Sequence, residues 1–503
     1  MSASEDLRAE VLRALETPVE AASDEKIASS PLPAKPKGKR KAKAAGGDDG
    51  GRAGDDSEFS VDEINREFAL VLLGSRAVVM QIADDGPVDE RQRVLSVEAF
   101  QIWFGNRFVM GLDARGNPKP VTWANKWLGH RQRRQYQGVE FYPDPDNRPG
   151  AAGRLNLWRG FAFQPKAKAN GYSIYRDHLL TNVCGGDERL YNWVFAFFAQ
   201  IAQRPRERMG VALVLRGGMG SGKTVVGEHI GALFPAHYFL VDDPRYVTGQ
   251  FNAHMASCLL LQADEAVWAG DKAAEGRLKG LVTSPVQQIE AKGVDPIRLD
   301  NYVRLIMTSN ESWVVPAGRD ERRFCVLDVD PRCAQNGGYF GEMRAEMLDG
   351  GYEALLHDLL AFDLSSVDLR TIPKTEALLD QKERSLDSVP GWWLDRLVAG
   401  APTSKATKWV KEVKRDDMFH DYLDASDRIG VRRKREQTIF GRELHELVPG
   451  LRTSRWMEAD GARPRVYVLP PLAECRRAWD ERMGQLREWP VDEPEPEPVE
   501  GEP

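Results

Sequence analysis

The chain has 503 residues, of which 42% are hydrophobic and 29% charged; that is a length of about three domains with apolar material for several cores. Its 69 basic and 76 acidic residues leave −7, and six of those acids fall in the last 13 positions, so the remainder carries −1; this excludes no nucleic-acid partner, because local clusters set the local field. Five scattered cysteines without a C-x-x-C pair exclude a disulfide scaffold and a zinc ribbon, and the lack of an apolar run near the ~18 residues that span a bilayer leads us to expect a soluble, cytoplasmic protein.

Residues 1–57 open with a short helical pattern from Leu7 to Leu15, then pass through prolines and a basic stretch from Lys35 to Lys43 into Gly and Asp. This composition buries too little to offset ordering entropy, and it reads as a solvated tether or a nonspecific DNA-binding arm. Residues 58–165 read as an N-terminal α+β module. Ser60 and Glu63 form a capping box before a helix through Phe68, and the apolar runs Ala69 to Leu73 and Ala77 to Ile82 form a hairpin about Gly74-Ser75. Further on, Arg131, Arg133 and Arg134 stand beside Trp127 and Tyr136. They either hold single-stranded nucleic acid by phosphate pairing and stacking or form a solvated helix face over a core.

Residues 166–335 form the next unit, entered through a helix with Tyr191, Val194, Phe195, Phe197 and Phe198 on its apolar positions. From Val211 to about Asp330 short apolar runs alternate with helical patterns, as in an α/β sheet. Residues 336–385 read as a helical connector. Residues 386–490 read as a last module with Trp392, Trp393 and Trp409, and residues 491–503 as a disordered acidic tail.

The chemistry concentrates in the α/β unit. The buried-strand pattern from Val211 to Leu215 runs into Gly217, Gly218, Met219, Gly220, Ser221, Gly222, Lys223 and Thr224, followed by a helical stretch. This is the G-x-x-x-x-G-K-[ST] phosphate loop in its strand-loop-helix context. Glycines let the backbone wrap a triphosphate, Lys223 pairs its β/γ-phosphates, and the Thr224 hydroxyl ligates Mg²⁺. The apolar run from Cys258 ends in Asp264 and Glu265, two acids delivered to the carboxyl edge of the sheet; Asp264 suits Mg²⁺ and Glu265 the attacking water. A third apolar strand, from Val303, ends in Asn310, placed to bond the γ-phosphate or the water, or else to cap a turn. Arg322 and Arg323 precede one more apolar strand, and either can act as an arginine finger or pair locally at the strand entry.

This order of phosphate loop, Leu-Leu-Gln-Ala-Asp-Glu, a Lys-bearing hairpin, Thr-Ser-Asn and Glu-Arg-Arg-Phe resembles the superfamily 3 helicases, more closely the helicase part of phage and plasmid primase-helicases. The resemblance covers roughly residues 60–485. It implies an AAA+-like P-loop NTPase core, ATP and Mg²⁺ as ligands, a homo-oligomeric ring (a hexamer) and action on single-stranded or forked DNA in the cytoplasm of a bacterial host. It places Lys292 on a pore-facing hairpin between Gln287 to Glu290 and the strand at Tyr302, with Asp295 and Asp300 on the same hairpin. The 57 residues ahead of the α+β module are too few for the primase domain that such proteins carry, so priming or polymerisation is expected on a separate polypeptide.

Near the C-terminus Arg432, Arg433, Lys434 and Arg435 follow Arg428 without an intervening acid. A helix from Thr438 and a strand at Val466 to Leu469 follow, an order compatible with a winged-helix-like module whose basic run binds DNA or docks a protein. The reading is an ATP-dependent DNA helicase of phage or mobile-element replication; its rivals are an origin initiator or loader ATPase and an ATP-assembled DNA-binding scaffold.

Overall fold

The computed structural model describes residues 59–82, 92–249, 252–265, 272–290, 296–455 and 463–490. Lys292, Asp295, the N-terminal segment through residue 58 and the acidic tail lie outside the described residues.

Helix α1 (Val61–Glu67) starts at Ser60, whose hydroxyl accepts from the Glu63 amide at 3.3 Å, as the capping box predicts. Strands β1 (Phe68–Leu73) and β2 (Arg76–Ile82) pair antiparallel around Gly74, whose φ of 58° suits glycine. Adding β3 (Gln92–Leu95) and β6 (Gln135–Tyr136) gives a sheet of order β3-β2-β1-β6, while β4 (Phe108–Leu112) pairs with β5 (Pro118–Thr122) and β7 (Gly138–Glu140) with β8 (Arg154–Asn156). Its two faces part as the period of two requires. Phe68 and Val79 face an aromatic cluster of Phe100, Phe104, Trp123 and Trp127, while Val71, Val78, Met80 and Ile82 join the main core of the molecule. The N-terminal module therefore shares its core with the unit that follows.

That packing takes Trp127 out of the single-strand-binding reading of this module. Trp127 is 0% exposed and donates its indole N–H to Asn65 at 2.8 Å, so it offers no face to a base. Arg134 donates to the Tyr136 hydroxyl at 3.1 Å and the Asn65 carbonyl at 3.2 Å, and Arg133 to Gln135 at 2.9 Å and the Leu128 carbonyl. Arg133 and Arg134 staple the helix and strand that flank them, whereas Arg131 is exposed.

Five parallel strands form the central sheet: β9 (Ala212–Arg216), β10 (Tyr238–Val241), β11 (Leu260–Asp264), β14 (Arg304–Ser309) and β15 (Phe324–Asp328), in the order β10-β11-β14-β9-β15. All six residues of β14 are buried, the polar Arg304, Thr308 and Ser309 included, as expected for a central strand covered on both faces. The strand that feeds the glycine loop and the strand that ends in the acids are each paired to β14. Side chains from three carboxyl ends thereby meet in one place.

Between β11 and β14 lies an antiparallel hairpin, β12 (Val286–Ile289) and β13 (Ile297–Asp300). Its second arm ends before Tyr302, a correction to the expected boundary. Asn301 is the cause: its amide donates to the carbonyls of Leu281 and Ser284 at 2.8 and 3.0 Å while its oxygen accepts from the Val303 amide at 3.1 Å, turning the chain into β14.

Residues 336–385 are helical as expected but do more than connect. In helices α2 (Gly337–Glu346) and α3 (Tyr352–Ala361), Met343, Tyr352, Leu355 and Leu359 are buried in the main core. The following helix, Glu376–Arg384, gives Leu378 to that core and Leu379 to the next.

The last part of the chain has its own core of Trp392, Trp393, Tyr422, Phe440 and Trp479. Its elements run α4 (Ser388–Ala399), β16 (Glu412–Lys414), α5 (Arg415–Arg428), α6 (Gln437–Leu447), β17 (Arg452–Arg455), β18 (Arg465–Val468) and α7 (Leu472–Met483). The three strands pair antiparallel in the order β16-β18-β17. No helix among the described residues is long and apolar enough to cross a membrane.

Candidate phosphate-binding site

The glycine loop leaves β9 and ends on the nine-residue helix Lys223–Gly231, which begins at Gly222 with no side-chain cap. The first-turn N–H groups are therefore left for an anion. Gly222 has φ of 86°, and a Cβ there would come within 2.6 Å of the His178 ring and 2.8 Å of Phe340; only glycine fits that conformation and space. The Ser221 hydroxyl is buried with no hydrogen-bond partner among the described residues, a cost that a ligand oxygen would remove.

Lys223 bends back over the loop, donating from Nζ to the carbonyls of Gly217 and Gly218 at 2.9 and 2.8 Å and to Asn310 Oδ1 at 2.9 Å. Burial lowers its pKa, while Glu265 and Asp264 act in the opposite sense. The Thr224 hydroxyl donates to Asp264 at 3.1 Å, and Thr308 donates to the other Asp264 oxygen at 2.5 Å. Glu265 accepts from the Ser309 hydroxyl at 3.0 Å and the Asn310 amide at 2.7 Å. Its φ of 53° is left-handed, a conformation that costs a non-glycine residue about 1–3 kcal/mol and that concentrates at functional positions.

Lys223, Asn310 and Glu265 on one side and Thr224 and Asp264 on the other thus form one hydrogen-bonded cluster, bridged by Thr308. The hydroxyl and carboxylate oxygens of Thr224 and Asp264 are hard donors of the kind that Mg²⁺ takes. Arg322 and Arg323 stand apart from the cluster, on the loop before β15. Arg323 lies 3.5 Å from the buried Glu321 carboxylate. Arg322 is exposed, and its guanidinium has no partner among the described residues.

Several supporting residues were not read from the sequence. His178 is buried, and burial lowers its pKa. Its Nε2–H donates to the Gly222 carbonyl at 3.2 Å, which leaves Nδ1 to accept from Asn182 at 3.0 Å. The helical segment His178–Val183 thereby holds the end of the glycine loop. Gln262, 0% exposed, donates to the Thr224 carbonyl at 3.0 Å and accepts from the Tyr238 hydroxyl at 2.7 Å. Gly227 makes room for it, since a Cβ there would fall 1.9 Å from the Gln262 oxygen. A polar residue inside an apolar strand was the available signal for Gln262; a single histidine 44 residues upstream of Gly222 carried none.

In the C-terminal part the basic run is divided. Lys434 pairs with Asp427, and Arg435 with Glu443 at 3.0 Å, whereas Arg432 and Arg433 are exposed.

Residues 215–323, from the end of β9 to the loop before β15, match a family of unknown function (DUF5906). Over 237 residues the chain is 24% identical to a DNA primase-polymerase of Nitratiruptor phage NrS-1, a match that takes in 44% of this chain and 33% of that protein. The similarity is to a phage replication protein. The chain spans a third of the length of this curated relative. Two solved apo structures of the NrS-1 C-terminal region superpose with a TM-score of 0.55 each, at 17% and 16% sequence identity, and cover 80% of this chain and 96% of theirs. At that identity the likeness speaks for the fold, a mixed α/β architecture with a parallel sheet.

Proposed function

We propose that this chain is an ATP-hydrolysing DNA motor of the superfamily 3 helicase type, acting in phage DNA replication as a homo-oligomeric ring, with a separate primase or polymerase as partner. The observation that carries the reading is the meeting of Lys223, Thr224, Asp264, Glu265 and Asn310 in one bonded cluster at adjacent carboxyl ends of a parallel sheet. A phosphate loop alone recognises a phosphate. A loop joined to two acids and an amide through the intervening strand also has the parts for cleaving one.

In this reading the loop amides and Lys223 hold the β- and γ-phosphates, and Ser221 gains the partner it lacks. Mg²⁺, when bound by Thr224 and Asp264 together with the nucleotide, supplies charge neutralisation of the phosphate oxygens. Glu265, oriented by Ser309 and the Asn310 amide, takes the proton of the water whose oxygen bonds the γ-phosphorus as the bond to the bridging oxygen breaks. Asn310 already accepts from Lys223, so its side-chain NH₂ is left to donate to the γ-phosphate or the water. The exposed Arg322 suits a neighbour's site. Lys292, which lies outside the described residues and falls in sequence between Ile289 and Ile297, is assigned to DNA phosphates in this reading; in the C-terminal, winged-helix-like part, Arg432 and Arg433 are the members of the basic run still available to a ligand.

Glu265→Gln tests the division of labour. The amide keeps the shape and can still accept from Ser309, but it cannot take a proton. Nucleotide affinity should stay within about threefold of wild type while turnover falls at least about a hundredfold, the usual scale of general-base catalysis. Equilibrium binding of a fluorescent ATP analogue alongside phosphate release measures both, and a variant that loses binding would make Glu265 a structural residue.

A further inference from the structure

The hairpin β4–β5 turns its apolar side chains outward. Its register sets Phe108 opposite Thr122, Met110 opposite Pro120 and Leu112 opposite Pro118, and pairs at every second position share one face. On that face Phe108, Met110 and Leu112 are each more than half exposed, and both prolines are exposed. The other face is the packed one: Val109 lies against the aromatic cluster that holds Phe104 and Trp123, and a Cβ on Gly111 would come within 2.9 Å of Val121. A hairpin packed on one side ordinarily shows polar residues to solvent on the other, so this pattern is reversed. Ile102 and Trp103, also exposed, close the helix Val97–Trp103 just before β4. Five of the thirteen exposed large hydrophobics among the described residues thus fall between positions 102 and 112, a cluster of the kind that marks an interaction surface.

The edge of the hairpin speaks against strand addition along β5. The Asp113 amide bonds the Asn117 carbonyl at 2.8 Å and the Trp123 amide the Arg107 carbonyl at 2.9 Å, so by alternation Pro118 and Pro120 stand in the non-hydrogen-bonded pairs, where an N–H would face the free edge. That edge lacks two donors for another strand, which favours an occupant laid across the face. One segment of this chain has the matching character. Leu7, Val11, Leu12 and Leu15 recur at i, i+4, i+5 and i+8, the spacing of an apolar helix face, with Glu5, Asp6, Glu10 and Glu16 against Arg8 and Arg13. The hairpin is of opposite sign, with Arg107, Arg115 and Lys119 against Asp113. Arg107 pairs with Glu63 at 3.1 Å, and Asp113 accepts from the amides of Arg115 and Asn117; Arg115 and Lys119 are exposed. The chain also enters the described residues beside this hairpin. Phe59, the first of them, packs its ring 5.7 Å from that of Trp123, whose amide is the one bonded to Arg107 at the foot of β4. Residues 16–58 give the segment a reach of up to about 140 Å.

We propose that the segment from Leu7 to Leu15 docks as a helix on the outward face of the β4–β5 hairpin of the same chain, its apolar stripe on Phe108, Met110 and Leu112 and its acids toward Arg115 and Lys119. A helix of this length is marginal on its own in water, so it forms with the contact, and the tether raises its local concentration at the hairpin. The contact does not depend on the ATP reading.

Hydrogen exchange read by mass spectrometry on the full chain tests this, with a synthetic peptide of residues 1–25 as the reference for an undocked segment. Amides within residues 9–15 should exchange at least about tenfold more slowly in the chain than in the peptide, because the docked helix protects them. In the double variant Met110→Asp with Leu112→Asp, at positions 64% and 73% exposed, that protection should vanish while Tm stays unchanged. The double variant Val11→Asp with Leu12→Asp should lose it as well. Mixing the two variants tells a chain's own segment from a neighbour's: docking within one chain leaves the mixture unprotected, whereas protection regained in the mixture would give the face to a second copy and overturn the proposal. Free exchange of residues 9–15 in wild type would overturn it too, as would protection that survives in the Met110 and Leu112 variant. Free exchange in wild type together with a loss of DNA affinity in that variant would make the face a DNA site instead.

Discussion

Lys223→Ala should lower ATP turnover at least about a hundredfold, because it removes a pre-positioned positive charge from the place where charge shifts during phosphoryl transfer. The structure sharpens this expectation. Lys223 Nζ is held on two loop carbonyls and on Asn310, so the charge is already aimed and its partners are themselves parts of the cluster. The truncation also frees Asn310 and the loop carbonyls, and nucleotide affinity should fall with turnover, in contrast to Glu265→Gln. Phosphate-release kinetics and nucleotide binding on the purified variant, with circular dichroism as the check on folding, measure the outcome. Turnover within a few-fold of wild type in a folded variant would remove Lys223, and with it the phosphate-loop assignment.

Arg322→Ala should cost about a thousandfold in turnover if its guanidinium completes a neighbour's site, the lower end of the range for arginine fingers. The sequence leaves Arg322 and Arg323 equivalent. In the structure Arg323 is held beside the Glu321 carboxylate, whereas Arg322 is exposed and, among the described residues, engages through its backbone amide, at 2.9 Å from the same carboxylate. A finger must be available to reach across an interface, so the proposal takes Arg322. Arg323→Ala should act mainly on stability. Mixing the Arg322→Ala and Lys223→Ala proteins should recover part of the wild-type turnover, since one class of mixed interface then contains an intact loop facing an intact arginine. Full activity of Arg322→Ala, or activity independent of protein concentration in a monomer, would contradict the trans arrangement.

The parts of the site that were legible in the sequence are those written in contiguous residues. Six positions from Gly217 to Gly222 followed by Lys223 and Thr224, and two acids at the end of an apolar run, specify their local geometry through strand-loop-helix and strand-end rules. Strand order was not legible, because the insertion of β14 between β9 and β11 depends on parallel pairings between segments some 40 to 90 residues apart. The consequence for the site is direct: Thr308 and Ser309, read as the tail of a strand, turn out to bond Asp264 and Glu265. Burial misled in the opposite direction. Trp127 beside three arginines has the composition of a stacking platform, and only its indole bond to Asn65 inside a filled core shows it to be structural. In the C-terminal part the run from Arg432 to Arg435 is contiguous in sequence, but the ion pairs that engage Lys434 and Arg435 are not legible there.

A motor of the proposed kind couples hydrolysis to strand separation. The most direct measurement is displacement of a labelled strand from a forked duplex by the wild-type chain, with ATP and Mg²⁺, on substrates bearing a single-stranded tail of either polarity. We predict displacement that requires ATP, favours one tail polarity and disappears in Lys223→Ala. Steady ATP turnover with both forks left intact would contradict it and identify the chain as a loader or remodelling ATPase.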